Sequence, residues 1–237
     1  MKLALLDRLL AACRDGTANA LATDLASGAQ WIVMRDASHG ETPLGPAELT
    51  QVRSALDQDH SHVIETASGQ SIFVDVWNPR LRLLIVGGVH TAQALVPLAR
   101  IAGYDVTLID PRTAFGAPAR FPETHLVNDW PQDAVPALKP DRRSALVTLT
   151  HNPTIDDPAL IAALHSDAFF IGALGSRRTH AKRCERLAGA GFSENEIRRI
   201  RGPVGLAIGA LTPGEIAISI MAEITAVLRK APTMHRH

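Results

Sequence analysis

Four short stretches carry residue types whose spacing could do chemistry. The first is Gly87-Gly88-Val89-His90-Thr91-Ala92, which follows an apolar run, with Asp110 lying 23 positions beyond Gly87. A dinucleotide fingerprint has the form G-x-G-x-x-G/A with an acidic residue about 20 positions on. Gly87 and Ala92 match its first and third small positions, and Asp110 matches its acid. Val89 stands where the second glycine lets a pyrophosphate lie against the backbone, and a branched Cβ obstructs that approach. The pattern therefore supports the fold, while NAD is not expected as a ligand. Gly87, Gly88, His90 and Asp110 are candidate cofactor-binding residues. Asp110-Pro111 also reads as a plain strand-end turn.

The second stretch is Ile171-Gly172-Ala173-Leu174-Gly175-Ser176-Arg177-Arg178. Here a buried strand runs through two glycines into a serine and two arginines. Free N–H groups at a helix start, aided by the helix dipole, make an anion site. In this reading Gly172 and Gly175 let a phosphate approach the backbone, Ser176 caps the helix, and Arg177 and Arg178 supply charged hydrogen bonds. The two arginines sit about 100° apart around the helix, so only one is expected to face the ligand. Ser176–Arg186 holds five basic residues and one acid. Taken alone, that run reads as a solvated helix face.

The third stretch, Thr150-His151-Asn152-Pro153 with Asp156-Asp157-Pro158, falls at the carboxyl end of a strand, where open α/β sheets bind ligands. His151 suits an acid, a base or a ligand role, or a structural hydrogen bond. The aspartate pair is expected to cap the next helix, and no metal site is assigned. The fourth stretch, Pro203–Ala210, brings Gly205 and Gly209 into an apolar loop, as a ligand wall or a close packing contact. It offers no catalytic side chain.

These stretches need elements to position them. Leu81–Val86 (LRLLIV) is nearly all apolar, as suits a parallel strand covered on both faces. Thr91–Ala102 reads as a helix, Asp105–Ile109 as a strand, Ser144–Thr150 as a strand and Pro158–His165 as a helix. Ala168–Ile171 reads as a strand and Ser176–Gly189 as a helix. The alternation implies a parallel sheet. Ser193–Glu196 and Thr212–Glu215 fit capping boxes, the second opening a packing helix that runs to Leu228. Pro232–His237 is expected to fray.

Residues 1–80 read differently. Leu3–Cys13 is helical by period, and the overlapping Met1–Leu10 reads as an amphipathic helix that lacks a signal-peptide core. Ala20–Leu25 and Gln30–Met34 are short strands, Pro46–Leu56 is a helix, and His62–Thr66 with Ser71–Trp77 forms a hairpin about Ser68-Gly69. Asn78-Pro79 marks a boundary. The expected fold class is α/β: a small α+β domain over 1–79, then a Rossmann-like parallel-sheet domain over 80–237.

Composition narrows the function. Among 237 residues, Lys+Arg and Asp+Glu number 24 each, so nucleic acid is not an expected partner. Residues 1–80 hold six basic residues against ten acidic ones, and the excess of positive charge lies in the remainder. Two cysteines, Cys13 and Cys184, support neither a disulfide framework nor a four-cysteine zinc site. No apolar run reaches the roughly 18 residues of a membrane helix. A cytoplasmic protein with no membrane partner is expected.

In order along the chain, THNP with DDPAL, FIGALGSRRTHAKR and PVGLAIGALTPGEIAISIMAEI follow a glycine-rich turn. Together they resemble the XdhC/CoxI family, over about Leu81–Arg229. The resemblance implies an accessory protein for molybdenum hydroxylases such as xanthine dehydrogenase. Such a protein binds the molybdenum cofactor, as molybdopterin or its dinucleotide, protects it during sulfuration and hands it to the apo-hydroxylase. A cysteine desulfurase is a second implied partner, and a homodimer a further expectation. The sequence departs from the family at Val89, at His151-Asn152-Pro153 in place of His-Asp-Pro, and at Gly205-Leu206-Ala207 in place of Gly-Leu-Asp. Residues 1–80 lack the family's Gly-Cys-Val-Glu and Gly-Leu-x-Cys-Gly-Gly segments, so sulfur transfer by this chain is not expected. The cofactor-binding candidates are Gly87, Gly88, His90, Asp110, His151, Gly172, Gly175, Ser176, Arg177 and Arg178, with no catalytic residue. The competing readings are an NAD(P)-dependent oxidoreductase and a nucleotide-sensing regulatory domain.

Overall fold

The computed structural model describes residues 3–231. The expected fraying of Pro232–His237 lies outside the described residues, as do Met1 and Lys2 of the expected Met1–Leu10 helix. The chain divides into two compact units, Met1–Pro79 and Arg80–His237.

In the first unit, helices α1 (Leu3–Arg14) and α2 (Pro46–Gln58) accompany a five-stranded antiparallel sheet. Its strands are β1 (Asn19–Asp24), β2 (Gln30–Met34), β3 (Ser38–Gly40), β4 (His62–Glu65) and β5 (Ser71–Trp77), in the order β3-β2-β1-β5-β4. Alternate residues of β1 and β5 point one way, so Ala20, Ala22, Ile72 and Val74 meet Val52 and Ala55 of α2 in one core. The hairpin about Ser68-Gly69 forms as expected, with Ile64 opposite Ile72. Strand β3 is too short to show as a pattern.

The second unit holds six parallel strands. They are β6 (Leu81–Val86), β7 (Tyr104–Ile109), β8 (His125–Val127), β9 (Ser144–Thr148), β10 (Phe170–Ala173) and β11 (Ile200–Arg201). The sheet runs β11-β10-β9-β6-β7-β8. Read from the other edge, this is the 3-2-1-4-5-6 order of the dinucleotide-binding fold, whose direction reverses between β6 and β9. Strand β6 shows why its sequence is almost wholly apolar. Leu83 and Ile85 face one layer with Leu95 of α3 (His90–Ile101) and Ile220 and Ile224 of α8 (Pro213–Leu228). Leu84 and Val86 face the other layer, with Val135 of α4 (Pro131–Ala137) and Leu160 of α5 (Pro153–Leu164). Helix α6 (Arg177–Gly189) and the single turn α7 (Glu194–Ile197) join that second layer through Leu187 and Ile197.

Both expected capping boxes are present, at Ser193/Glu196 and Thr212/Glu215. Helix α5 corrects an expectation. It begins at Pro153 under an Asn152 cap, and Pro158 lies inside it. Two prolines compete for the first helical position. The earlier one wins because Asn152 Oδ1 accepts the Thr154 amide at 3.0 Å.

Candidate functional site

The first glycine turn, at the end of β6, is closed from within. Gly87 has φ +109°, and a Cβ there would lie 2.4 Å from Thr150 Cγ2, so only glycine lets β6 and β9 end side by side. Asp110 is fully buried. Its Oδ2 accepts the Gly88 amide and Arg112 Nη2, at 2.8 and 2.9 Å. Its Oδ1 accepts the Arg112 amide and Nε, both at 2.9 Å. A carboxylate has about four acceptor positions, and all four are used. Burial opposes ionisation of Asp110, but the Arg112 guanidinium and the two amides outweigh it and hold its carboxyl below the usual value.

The segment after β7 then covers Gly88. Phe115 O lies 2.3 Å from where a Gly88 Cβ would be, and Arg120 Nη1 donates to the Gly88 and Phe115 carbonyls. Arg112 stacks on the Phe115 ring at 4.0 Å. Gly88 and Asp110, expected to meet a cofactor, thus meet each other. His90 is the exposed first residue of α3 and stands apart from both clefts described below.

The second turn, at the end of β10, is arranged differently. Gly172 was expected to clear a path for phosphate, but it lies within β10. A Cβ there would strike Val204 Cγ2 at 2.6 Å and Phe170 Cε1 at 2.8 Å, so it is small for packing. Gly175, at φ +148°, turns the chain into α6. Ser176 caps that helix, its Oγ accepting the Thr179 amide at 3.1 Å. Arg177 and Arg178 are both exposed and line different clefts on the two flanks of the helix start.

The smaller cleft, about 200 Å³, lies between the starts of α5 and α6. His151, in the left-handed conformation at φ 61°, stands at its mouth. Arg178, Lys182 and Arg186 recur every four residues along one face of α6 and form its basic wall. Arg186 forks onto Asp157, with Nη2 to Oδ1 at 2.9 Å, which leaves Arg178 and Lys182 to set the charge of the rim. Asp156 and Arg183 lie deepest, 1% and 2% exposed. The aspartates do not cap α5, contrary to expectation. Asp156 sits in its first turns and accepts the Thr150 hydroxyl at 2.7 Å, tying the β9–α5 turn together. Burial pushes the Asp156 carboxyl up, and Thr150, Arg183 and His151 pull it only partly back. Lys182 and Arg186 lie within the basic run, and their recurrence four and eight residues after Arg178 is the signal that selects them. Nothing in the run itself sets Arg183 apart from its basic neighbours.

The larger cleft, about 470 Å³, lies on the other flank of α6 and includes Arg177, His180, Arg201 and Glu223. Its far wall is the loop after β11. Glu223, 6% exposed on α8, accepts the Gly205 amide at 2.6 Å. Ser219 Oγ donates to the Leu206 carbonyl at 2.7 Å, and the Leu206 amide returns to the Ser219 carbonyl at 3.2 Å. The Val204 amide bonds to Ala173 O at 3.1 Å. A Cβ on Gly205 would fall 2.2 Å from Ser219 Oγ, which explains that glycine. No local pattern in the sequence announces Glu223, because its partner lies 18 residues away. Cys184 Sγ is 3.6 Å from His180 Nε2, yet burial pushes its thiol up, the opposite of an activated thiolate. Among the described residues no group of three His, Cys, Asp or Glu side chains is placed to hold a metal ion, and no helix is long and apolar enough to cross a membrane.

Comparison with known proteins matches the family described as the XdhC Rossmann domain over residues 83–224. The chain is 32% identical over 151 residues to the molybdenum cofactor insertion chaperone PaoD of Escherichia coli (strain K12), covering 64% of this chain and 41% of that protein. It is 30% identical over 155 residues to a probable xanthine dehydrogenase subunit of Bacillus subtilis (strain 168), covering 65% and 45%. The chain therefore spans under half the length of these curated relatives. A crystal structure described as a xanthine dehydrogenase from Bacillus halodurans superposes with a TM-score of 0.71 at 23% identity. The alignment covers 97% of this chain and 65% of that one, so the fold of both units recurs there. With the family's domain spanning the parallel sheet and both clefts, the chain belongs to the XdhC family.

Proposed function

We propose that this chain is an accessory factor that binds the molybdenum cofactor and hands it to an apo molybdenum hydroxylase of the xanthine dehydrogenase or CO dehydrogenase type. The observation that carries the reading is the smaller cleft, where cations outnumber acids at a helix start beside the strand-order reversal. The names of the relatives point the same way. A pterin phosphate fits this set of residues. Arg178 and Lys182 hold it, Ser176 and Gly175 shape the turn beneath it, and His151 closes the mouth. Arg177 faces the larger cleft, which takes the rest of the ligand. The cofactor supplies its oxygen-transfer chemistry only once it is in the client enzyme, and this chain binds, orients and shelters it. No residue is assigned a catalytic step. The acidic unit Met1–Pro79 serves as the docking or dimerisation module, in the cytoplasm, with a cysteine desulfurase as a further partner.

Anaerobic binding assays with isolated molybdenum cofactor, CTP and NAD(H), run side by side, test the reading. Losing a charged hydrogen bond to phosphate costs about 1.5–3 kcal/mol, roughly ten- to a hundredfold in affinity. Arg178→Ala weakens cofactor binding by that factor with an unchanged melting temperature, and Arg177→Ala weakens it less. Parent-like binding by both variants defeats the phosphate site, and tight NAD(H) binding revives the oxidoreductase alternative.

A further inference from the structure

The floor of the smaller cleft is made of two charged side chains, each with a buried polar atom left open. Asp156 Oδ1 accepts the Thr150 hydroxyl and amide, at 2.7 and 3.3 Å, while Oδ2 is buried without a partner. Arg183 Nη2 donates to Leu174 O at 3.0 Å and Nη1 faces His180 Nδ1 at 3.4 Å, while Nε is buried without a partner. Buried polar atoms are nearly always satisfied, so two such atoms on residues that line one cleft mark a place where something else bonds. The two groups ask for opposite things. A carboxylate oxygen needs a donor, and a guanidinium nitrogen needs an acceptor. Phosphate answers only the second and is repelled by the first. The volume narrows the answer further. At about 200 Å³ the cleft is smaller than the roughly 300–1,000 Å³ of pockets that hold a whole ligand, so it has room for one part of a ligand only.

We infer that Asp156 Oδ2 and Arg183 Nε read the edge of a planar heterocycle, an N–H beside a ring carbonyl or ring nitrogen. The attached phosphate reaches outward to Arg178 and Lys182. The inference deepens the proposed function and rests on it for the outer phosphate. Among the sources of such an edge are a fused ring, as in a pterin, and a single ring, as in the pyrimidine of a nucleotide.

The test is calorimetry on the full chain with three probes: 6-hydroxymethylpterin, CMP and inorganic phosphate. The parent binds at least one of the heterocyclic probes. Asp156→Asn keeps an oxygen for Thr150 but turns an NH2 toward the ligand's own N–H. It lowers heterocycle affinity ten- to a hundredfold and leaves inorganic phosphate affinity equal or higher, since a negative charge has gone. Arg178→Ala does the reverse, weakening inorganic phosphate more than 6-hydroxymethylpterin. Arg183→Lys keeps the charge and removes Nε, and it gives the same heterocycle loss if Asp156→Asn proves unstable in a thermal melt. Loss for 6-hydroxymethylpterin alone assigns the floor to a pterin, and loss for CMP alone assigns it to a pyrimidine. Parent-like heterocycle binding in both floor variants, a parallel loss of heterocycle and phosphate, or no heterocycle binding by the parent overturns the inference. If the parent ignores inorganic phosphate but the floor variants still lose the heterocycle, the phosphate reading fails and the floor stands.

Discussion

The turns at the ends of β6 and β10 look alike on paper. Each carries two glycines, follows a buried parallel strand and opens a helix, and the first bears the more familiar fingerprint. In the folded chain they are opposites. At the β6 turn every acceptor position of Asp110 is taken by Gly88 and Arg112, and Phe115 and Arg120 lie across the glycine backbone. At the β10 turn positive charge prevails in the cleft, and two buried atoms of Asp156 and Arg183 stay without a partner. Glycine spacing thus reports how closely two pieces of backbone must pass. Whether a ligand can bind depends on which polar groups the protein has already used on itself.

The contrast can be broken first at Asp110. Asp110→Ala strips a buried amide and a guanidinium of their acceptor and is expected to cost about 2–4 kcal/mol of unfolding free energy. Ligand binding at the α6 cleft is expected to stay as in the parent. A urea titration at neutral pH measures the first and calorimetry the second. A stable variant that loses the ligand would make the β6 turn a binding site after all. The acid branch sharpens the same point. The folded-state pKa of Asp110 is depressed below the ordinary 3.8, so its contribution is fully present above that value. It is lost as the pH falls through the lower folded value, so the gap in urea midpoint between parent and Asp110→Ala narrows below pH 3.8.

Next in size, Ser176→Ala at the β10 turn removes a helix cap and is expected to cost about 1 kcal/mol in a chemical melt. Its affinity loss should be no larger than that. A far greater loss would mean that the hydroxyl itself touches the ligand. The smallest effect is expected from Val89→Gly. That change restores the fingerprint on paper but leaves Phe115, Arg120 and the Asp110 bonds in place, so NAD(H) calorimetry stays flat. Micromolar binding by the parent or by the variant would erase the distinction between the two turns.

What was legible in the sequence was whatever is written locally. LRLLIV revealed a strand covered on both faces, and the two capping boxes marked helix starts to the residue. The alternation of strands and helices was enough for the parallel sheet. The misses share a physical cause. Strands β3, β8 and β11 have two or three residues, too few to show a period, and they exist because a longer neighbour offers them an edge. Gly172 is small because of Val204, 32 residues away. Asp110 is used up by Gly88, 22 residues before it. Arg177 and Arg178 could be picked out together because both follow the glycine turn at a helix start. Asp156 and Arg183, which form the cleft floor, looked like a helix cap and one more basic residue until their burial was known.

The loop from Val204 to Leu206 has no regular secondary structure, yet its successive amides are all held, two of them by α8. Its hydrogens should therefore exchange with solvent as slowly as those of the core helix and open only with it. A surface loop of ordinary make-up would exchange within seconds and could swing over a bound molecule. Pinned to β10 and α8, this one is expected to stay a fixed wall of the larger cleft while a molecule enters and leaves.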